Sequence, residues 1–124
     1  MKGSPMLSLA LLKIPVTDLD RAKAFYSKLF EATPVFHSAE FGWTQFMLGS
    51  LPVALYIPCK GGGAGLPGHD LDFQLFAPDL PALKDRIEQD ATGAEIHENA
   101  DGSQSLEFRD PDGNGVKIMA RVDP

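Results

Sequence analysis

Hydrophobic and polar residues follow two different periods along this chain, and the changes of period divide it into short elements. Apolar residues at three- and four-residue spacing predict two amphipathic helices, one capped by Asp18 and one opened by Asp79-Leu80-Pro81 and ending before Gly93. Each helix should bury its apolar side against a sheet, through Phe25, Leu29, Leu83 and Ile87. Short apolar or alternating runs predict strands at 9–16, 34–37, 43–48, 52–57, 71–76, 94–98, 104–109 and 116–120.

The order strand, helix and three strands therefore occurs twice. Placing Asp18 on Asp79 gives an offset of 61 residues, which also pairs Ala32 with Gly93 and indicates an internal duplication. We expect a single α+β domain over 1–124, with two tandem βαβββ units that form a curved mixed sheet. The first unit spans 7–59, a glycine-rich linker spans 60–68, and the second unit spans 69–122.

The segment 60–68 contains five glycines, which favours a flexible connector because glycine loses much backbone entropy in regular structure. A phosphate-binding loop is the alternative. Such a loop needs Gly-Lys-Ser/Thr at the start of a helix, whereas Leu-Pro-Gly-His-Asp follows here.

Composition limits the possible partners. A length of 124 residues with 44% hydrophobic content suffices for one core, and the net charge of −6 argues against nucleic acid or an anionic membrane as partner. A neutral or cationic small ligand fits this charge better. Cys59 has no internal disulfide partner, no apolar run approaches the roughly 20 residues of a membrane span, and Met1 to Met6 is too short for a signal peptide. We therefore expect a cytoplasmic protein.

Strand alternation assigns two faces to the sheets. The apolar face should pack on the helices and contains Leu12, Ile14, Val16, Val53, Leu55, Ile57, Leu71, Phe73, Leu75, Leu106, Phe108, Val116 and Ile118. The opposite face mixes aromatic, flexible and polar side chains, which is typical of a ligand pocket. Its members are Leu11, Lys13, Trp43, Gln45, Met47, Ala54, Tyr56, Asp72, Gln74, Phe76, Ser105, Glu107, Lys117 and Met119. The alternative, a merely solvated face, would leave three aromatic residues in water without a reason.

Two motifs carry a family resemblance. Ile14-Pro15-Val16-Thr17-Asp18-Leu19-Asp20-Arg21-Ala22-Lys23-Ala24-Phe25-Tyr26 and Phe108-Arg109-Asp110-Pro111-Asp112-Gly113-Asn114 together resemble the vicinal oxygen chelate superfamily of glyoxalase I, bleomycin-resistance proteins and extradiol dioxygenases. The resemblance covers residues 8 to 121 and implies an open cup with the ligand inside and the helices outside.

Metal-using members of that superfamily place a His, Gln or Glu ligand on four strands. Carried over by position, these sites fall at Leu11, Asp72, Lys117 and near Ala54, or at Tyr56 if the register slips. Only Asp72 could bind a metal, because leucine and alanine offer no lone pair and an ammonium group repels a cation. We therefore expect no cofactor, and a divalent metal such as Ni, Zn or Fe is the alternative. His69, His37 and His97 fit surface positions and receive no role.

Three other charged residues should face the inside of the cup, namely Lys13, Asp72 and Lys117, with Glu107 nearby. An ion pair of Lys117 with Asp72 is the structural interpretation, and a lysine base or Schiff-base donor is the functional one. The resemblance favours a metal-free small-molecule binder, with an aromatic cation as a suitable ligand. The alternative is a metal-dependent lyase, isomerase or dioxygenase of the lactoylglutathione-lyase type. We also expect a homodimer whose cups combine the first unit of one chain with the second unit of the other.

Overall fold

The computed structural model describes residues 6–121, so the predicted start of the domain at 1–5 and its end at 122–124 lie outside the described residues. The described residues form two helices and eight strands in the predicted order. The first unit contains β1 (Leu12–Pro15), α1 (Leu19–Phe30), β2 (Phe36–Ser38), β3 (Trp43–Leu48) and β4 (Leu51–Tyr56). The second contains β5 (Leu75–Ala77), α2 (Leu80–Ile87), β6 (Thr92–Glu98), β7 (Gln104–Arg109) and β8 (Gly115–Ala120).

Each unit has its own four-stranded mixed sheet, with strand orders β1-β4-β3-β2 and β5-β8-β7-β6. The first strand of each unit pairs in parallel with the last strand, and the other neighbours pair antiparallel. The predicted fold of two tandem βαβββ units is confirmed.

Both helices begin where the sequence predicted. The carboxylates of Asp18 and Asp79 each accept a hydrogen bond from a backbone N–H three residues later, at 3.0 Å, and so satisfy a donor of the first turn. α1 ends at Glu31 in the left-handed conformation, with φ of 49°. The side chains predicted to face the sheets are all buried: Phe25, Leu29, Leu83 and Ile87.

Three strands are shorter than predicted, and one of them is β2, which covers Phe36–Ser38 instead of 34–37. β1 begins at Leu12 rather than at residue 9, and its parallel neighbour β4 begins at Leu51, two residues before the Leu12 partner Val53. β5 begins at Leu75 rather than at residue 71, because the chain bulges between Asp70, which pairs with Gly115, and Leu75, which pairs with Ile118. Alternation of side chains does not reveal such a shift, since the apolar pattern continues through the bulge.

One hydrophobic core joins the two units. It contains the helix-facing side chains of both sheets and both helices, and Phe25 of α1 lies 5.9 Å from Phe108 of β7 between ring centroids. The helices also contact each other. The opposite sheet faces therefore point away from the core. No helix within residues 6–121 is long and apolar enough to cross a membrane.

Candidate functional site

The two motifs of the family resemblance meet at a polar seam between the units, centred on Asp110. One oxygen of Asp110 accepts hydrogen bonds from the backbone N–H groups of Asp112 and Asn114, at 2.8 and 2.9 Å. The other oxygen accepts from the Tyr26 hydroxyl at 2.6 Å and from the Asn114 side chain at 3.0 Å. Asn114 also donates to the carbonyl of Pro15 and accepts from Gly68 N–H. The Asp-Pro-Asp-Gly-Asn turn is thus a structural clamp.

Asp112 extends this seam to the start of α1. Its Oδ1 accepts hydrogen bonds from the backbone N–H and hydroxyl of Thr17 and from the Arg21 guanidinium, the last at 2.9 Å. Every partner belongs to the first unit. These contacts hold the second unit against the first motif.

The hydroxyl of Tyr26 at this seam has a perturbed pKa. Burial raises the pKa of its hydroxyl well above the ordinary value, and the neighbouring Asp110 carboxylate raises it further. The hydroxyl is therefore a stable donor at neutral pH. This is the behaviour of a structural hydrogen bond rather than of a catalytic acid.

The first face, defined as the side of the first sheet opposite α1, carries two of the three predicted aromatic residues, Trp43 and Tyr56. Register places Lys13, Ala54, Gln45 and Phe36 in one row across the sheet. The next row contains Pro15, Tyr56, Trp43 and Ser38. The indole N–H of Trp43 donates to Gln45 at 3.1 Å, which fixes the ring against the sheet. Lys13 is exposed, whereas Tyr56 is only 5% exposed.

The glycine-rich segment covers this face instead of bridging the units as a free connector. The Lys13 ammonium donates to the carbonyl of Gly62 and lies 5.1 Å from the centre of the Tyr56 ring. Gly65 N–H donates to the Tyr56 hydroxyl at 3.2 Å. A Cβ on Gly62 would lie 2.8 Å from Tyr56 Cβ and 3.0 Å from Trp43 Cζ3, so only glycine permits this approach. We call residues 59–65 the glycine flap.

The second face, on the side of the second sheet opposite α2, is open and polar. A cavity of about 430 Å³ lies on it. Glu107 and Lys117 are cross-strand partners and both are half-buried. The hydroxyl of the buried Ser105 donates to Glu107 at 3.1 Å. Side chains from the segment before β5 and from β6, β7 and β8 line the cavity: Asp70, Gln74, Thr92, Glu107, Arg109 and Lys117.

The other predicted pocket residues are more scattered. Leu11 precedes β1 and is half-buried, as is Met119 of β8. Phe76 is 70% exposed and is the cross-strand partner of Met119, while Met47 is 36% exposed on β3. The cavity of the second face thus includes Gln74, Glu107 and Lys117 but none of the aromatic residues predicted to line a pocket.

Several residues of these faces escaped the sequence analysis. Phe36 shares a row with Gln45, and Arg109 lines the second-face cavity. Extending the alternation into the edge strands identifies Phe36, Glu95 and His97 as face residues once their pairing is known. His37 instead lies on the helix-facing side, with Nδ1 2.8 Å from the Thr44 hydroxyl. The two histidines therefore do not occupy matching faces of the duplicated units.

The expected ion pair between Lys117 and Asp72 is wrong. Among residues 6–121, no carboxylate oxygen lies within 4.0 Å of the Lys117 ammonium. The bulge before β5 explains this, because the register beside Leu75 and Ile118 brings Gln74 rather than Asp72 next to Lys117. Asp72 is exposed in a bend.

The donor set at the carried-over metal positions does not fit a divalent cation. Ala54 is fully buried and Leu11 has no donor atom, while Lys117 carries a positive charge. Over the described part of the chain, no group of three His, Cys, Asp or Glu side chains is arranged to hold a metal. The expectation of a metal-free cup stays a prediction.

Solved structures similar to this chain include members of the glyoxalase/bleomycin resistance protein/dioxygenase superfamily. The lactoylglutathione lyase of Agrobacterium tumefaciens is 26% identical, with a TM-score of 0.76 and coverage of 95% of this chain and 96% of that chain. A member of the glyoxalase/bleomycin resistance protein/dioxygenase superfamily from Sphaerobacter thermophilus is 20% identical, with a TM-score of 0.76 and coverage of 94% and 98%. A bleomycin-binding protein complexed with bleomycin is 21% identical, with a TM-score of 0.64 and coverage of 94% and 100%.

No family model and no curated protein sequence matches the chain. The structural neighbours nevertheless confirm the resemblance carried by the two motifs. The chain has the fold of the glyoxalase/bleomycin resistance protein/dioxygenase superfamily.

Proposed function

We propose that this chain is a metal-free small-molecule binding protein whose ligand contacts the second face. The observation that carries the proposal is the cavity of about 430 Å³ on that face. Glu107 and Lys117 lie opposite each other on neighbouring strands in its wall. Its size lies within the range of roughly 300–1,000 Å³ typical of ligand pockets. Lys117 occupies a position where the metal-using relatives implied by the resemblance carry a ligand, so an ammonium replaces the metal's positive charge.

The charges of the cavity support a ligand with polar groups. An Arg109 guanidinium nitrogen lies 3.6 Å from an Asp70 carboxylate oxygen, so these two charges pair with each other. Among the described residues, Glu107 and Lys117 take part in no ion pair. Glu107 accepts hydrogen bonds and Lys117 donates them. A neutral or cationic compound with both kinds of group suits this pair and the net charge of −6.

The aromatic part of the ligand would contact the part of a second copy's first face that the glycine flap leaves exposed, which includes Phe36 and Met47. The core joins the helix-facing sides of the two sheets, so neither polar face covers the other within one chain. Apolar residues remain exposed on both faces, with Phe36 at 47% and Phe76 at 70% exposure. A homodimer that places the first face of one copy opposite the second face of the other would cover them and complete the cup.

Two measurements test the proposal. Compounds that bind only the native state raise the melting temperature, so a screen of neutral and cationic aromatic compounds should yield at least one that does so. That shift should vanish in Lys117→Met and persist in Lys23→Met, a control on α1. A shift of equal size in both variants would contradict the second face as the site.

The oligomeric state is tested separately by light scattering at micromolar concentration. A mass of twice 13.4 kDa supports the shared cup, and a mass near 13.4 kDa overturns it. Ligand binding by a monomer would leave the second-face site in place without the partner.

A metal-dependent lyase, isomerase or dioxygenase is the second candidate, because the neighbour with 26% identity is described as a lactoylglutathione lyase. It requires a cation site that includes Asp72. Metal analysis of protein purified without chelator distinguishes the two candidates. Stoichiometric nickel, zinc or iron that is lost in Asp72→Ala supports the enzyme and contradicts the metal-free binder.

A further inference from the structure

The two units meet at two places that correspond to each other in the duplicated fold. A long turn fills one of these places, and a short turn lies at the other. At the polar seam, the turn 110–114 between β7 and β8 packs against the end of β1 and against α1. At the corresponding place, the turn between β3 and β4 approaches the end of β5 and α2. That turn consists of only Gly49 and Ser50, since β3 ends at Leu48 and β4 begins at Leu51.

The shorter turn leaves a cavity of about 470 Å³ where the longer turn forms the clamp. Its walls are mainly hydrocarbon and come from both units, with α1, α2, β5 and the β3–β4 turn all contributing. The main lining side chains are Phe30, Leu48, Leu51, Leu75, Ala77 and Leu83. The first four of these and Ala77 are half-buried, so apolar surface remains available to an occupant.

The charged groups at this cavity are already satisfied by each other. Arg86 Nη1 lies 3.1 Å from a Glu31 carboxylate oxygen. The Nε and Nη2 groups of Arg86 donate to the carbonyls of Lys28 and Leu29, at 2.8 and 3.2 Å, where they cap the end of α1. The pair has no net charge, and a charged ligand would have to be desolvated beside hydrocarbon walls without a free partner.

We propose that this cavity is a second binding site, separate from the cavity on the second face, for a neutral and mainly hydrocarbon small molecule. Such a ligand covers the half-buried leucines and leaves the Arg86–Glu31 pair intact. The site is independent of the proposed function, because it uses neither Lys117 nor Glu107. Phe76, at the edge of β5, is the one predicted pocket residue that also lines this cavity.

The test compares three probes of similar size, toluene, benzoate and benzylamine, by NMR of the methyl groups in the full chain. We expect toluene to shift the Leu48 and Leu51 methyl signals saturably, and both charged probes to bind at least tenfold more weakly. Ala77→Phe, which fills the cavity, should abolish the toluene shifts, whereas Ala82→Phe on the exposed side of α2 should preserve them.

If Ala77→Phe does not fold, Leu51→Gln serves as the second variant, because it places an amide in the wall at similar volume and should weaken toluene binding at least tenfold. Equal binding of all three probes overturns the proposal, as does toluene binding that neither variant changes. Binding seen only when the protein is diluted to a monomer also overturns it, because a second copy would then be the occupant.

Discussion

The polar seam and the two polar faces behave as different kinds of region. At the seam, Asp110 and Asn114 form hydrogen bonds within their own turn and to Tyr26 and Pro15 of the first unit, and both are at most 2% exposed. On the faces, Lys13 and Gln74 are exposed, and a glycine flap covers one face while the other is open. The motifs that identify the superfamily lie at the seam. They therefore indicate how the two units join, whereas the proposed ligand site lies on a face, and the faces differ between the units.

This contrast gives a simple expectation for substitutions. Changes at the seam should lower the free energy of unfolding, because they leave buried polar groups without partners. Changes on the open face should alter binding with little effect on stability. Four predictions test the contrast, in order of decreasing effect on stability.

The largest effect is expected for Asp110→Ala, which removes the acceptor of four hydrogen bonds at the seam. The free energy of unfolding should fall by about 3 kcal/mol or more, measured by urea denaturation. Asp101→Ala is the control, since Asp101 also accepts from a backbone N–H in a turn but is exposed. Equal losses of unfolding free energy in the two variants would show that the Asp110 hydrogen bonds stabilise the fold no more than those of an exposed turn do.

Tyr26→Phe should cost about 2 kcal/mol near neutral pH, because it removes one hydrogen bond to a buried carboxylate and keeps the ring packing. The effect depends on pH. The folded-state pKa of Tyr26 is raised above the unfolded value of about 10, so its contribution is complete below pH 10 and is lost as pH rises through the folded pKa.

Urea denaturation at pH 8, 10 and 11 measures this dependence. The difference between the wild type and Tyr26→Phe should shrink as pH rises above 10. Tyr56→Phe, which changes the hydroxyl that contacts the glycine flap, is the matched variant outside the seam. If the difference in free energy of unfolding between the wild type and Tyr26→Phe stayed constant over this pH range, the pH dependence assigned to the Tyr26 hydroxyl would be contradicted.

Gly62→Val should cost about 1–2 kcal/mol, because the new side chain overlaps Tyr56 and Trp43 and displaces the glycine flap. Trp43 is the single tryptophan, so its fluorescence reports the displacement through a red shift as the indole meets water. Ala64→Val, at an exposed position of the same flap, should change neither quantity. An unchanged spectrum in Gly62→Val would mean that the flap does not cover the first face in solution.

Lys117→Met should have the smallest effect on stability, within about 0.5 kcal/mol, because its ammonium has no ion-pair partner among residues 6–121. Its effect on ligand binding should be large. Measuring the free energy of unfolding and the ligand-induced shift in melting temperature on the same variant separates the two. A destabilisation as large as that of Tyr26→Phe would assign Lys117 to the structure rather than to binding.

Local patterns predicted the elements of this protein well. Helix starts at Asp18 and Asp79, the burial of Phe25 and Ile87, and the order of eight strands all follow from side-chain period and capping, which depend on residues a few positions apart. The superfamily was recognisable for the same reason, because its two motifs are continuous in sequence.

The site depended on contacts that no local pattern contains. Asp110 meets Tyr26 across 84 residues, and the bulge before β5 moves Asp72 out of line with Lys117. The glycine run predicted a flexible connector, but the absence of Cβ atoms also lets its backbone pack on Tyr56. Sequence by itself thus determined which segments are helix or strand and which of their sides are apolar. Only the tertiary structure decided which of the two polar faces is open, because that depends on register and on close approach between segments that the chain's local preferences do not bring together.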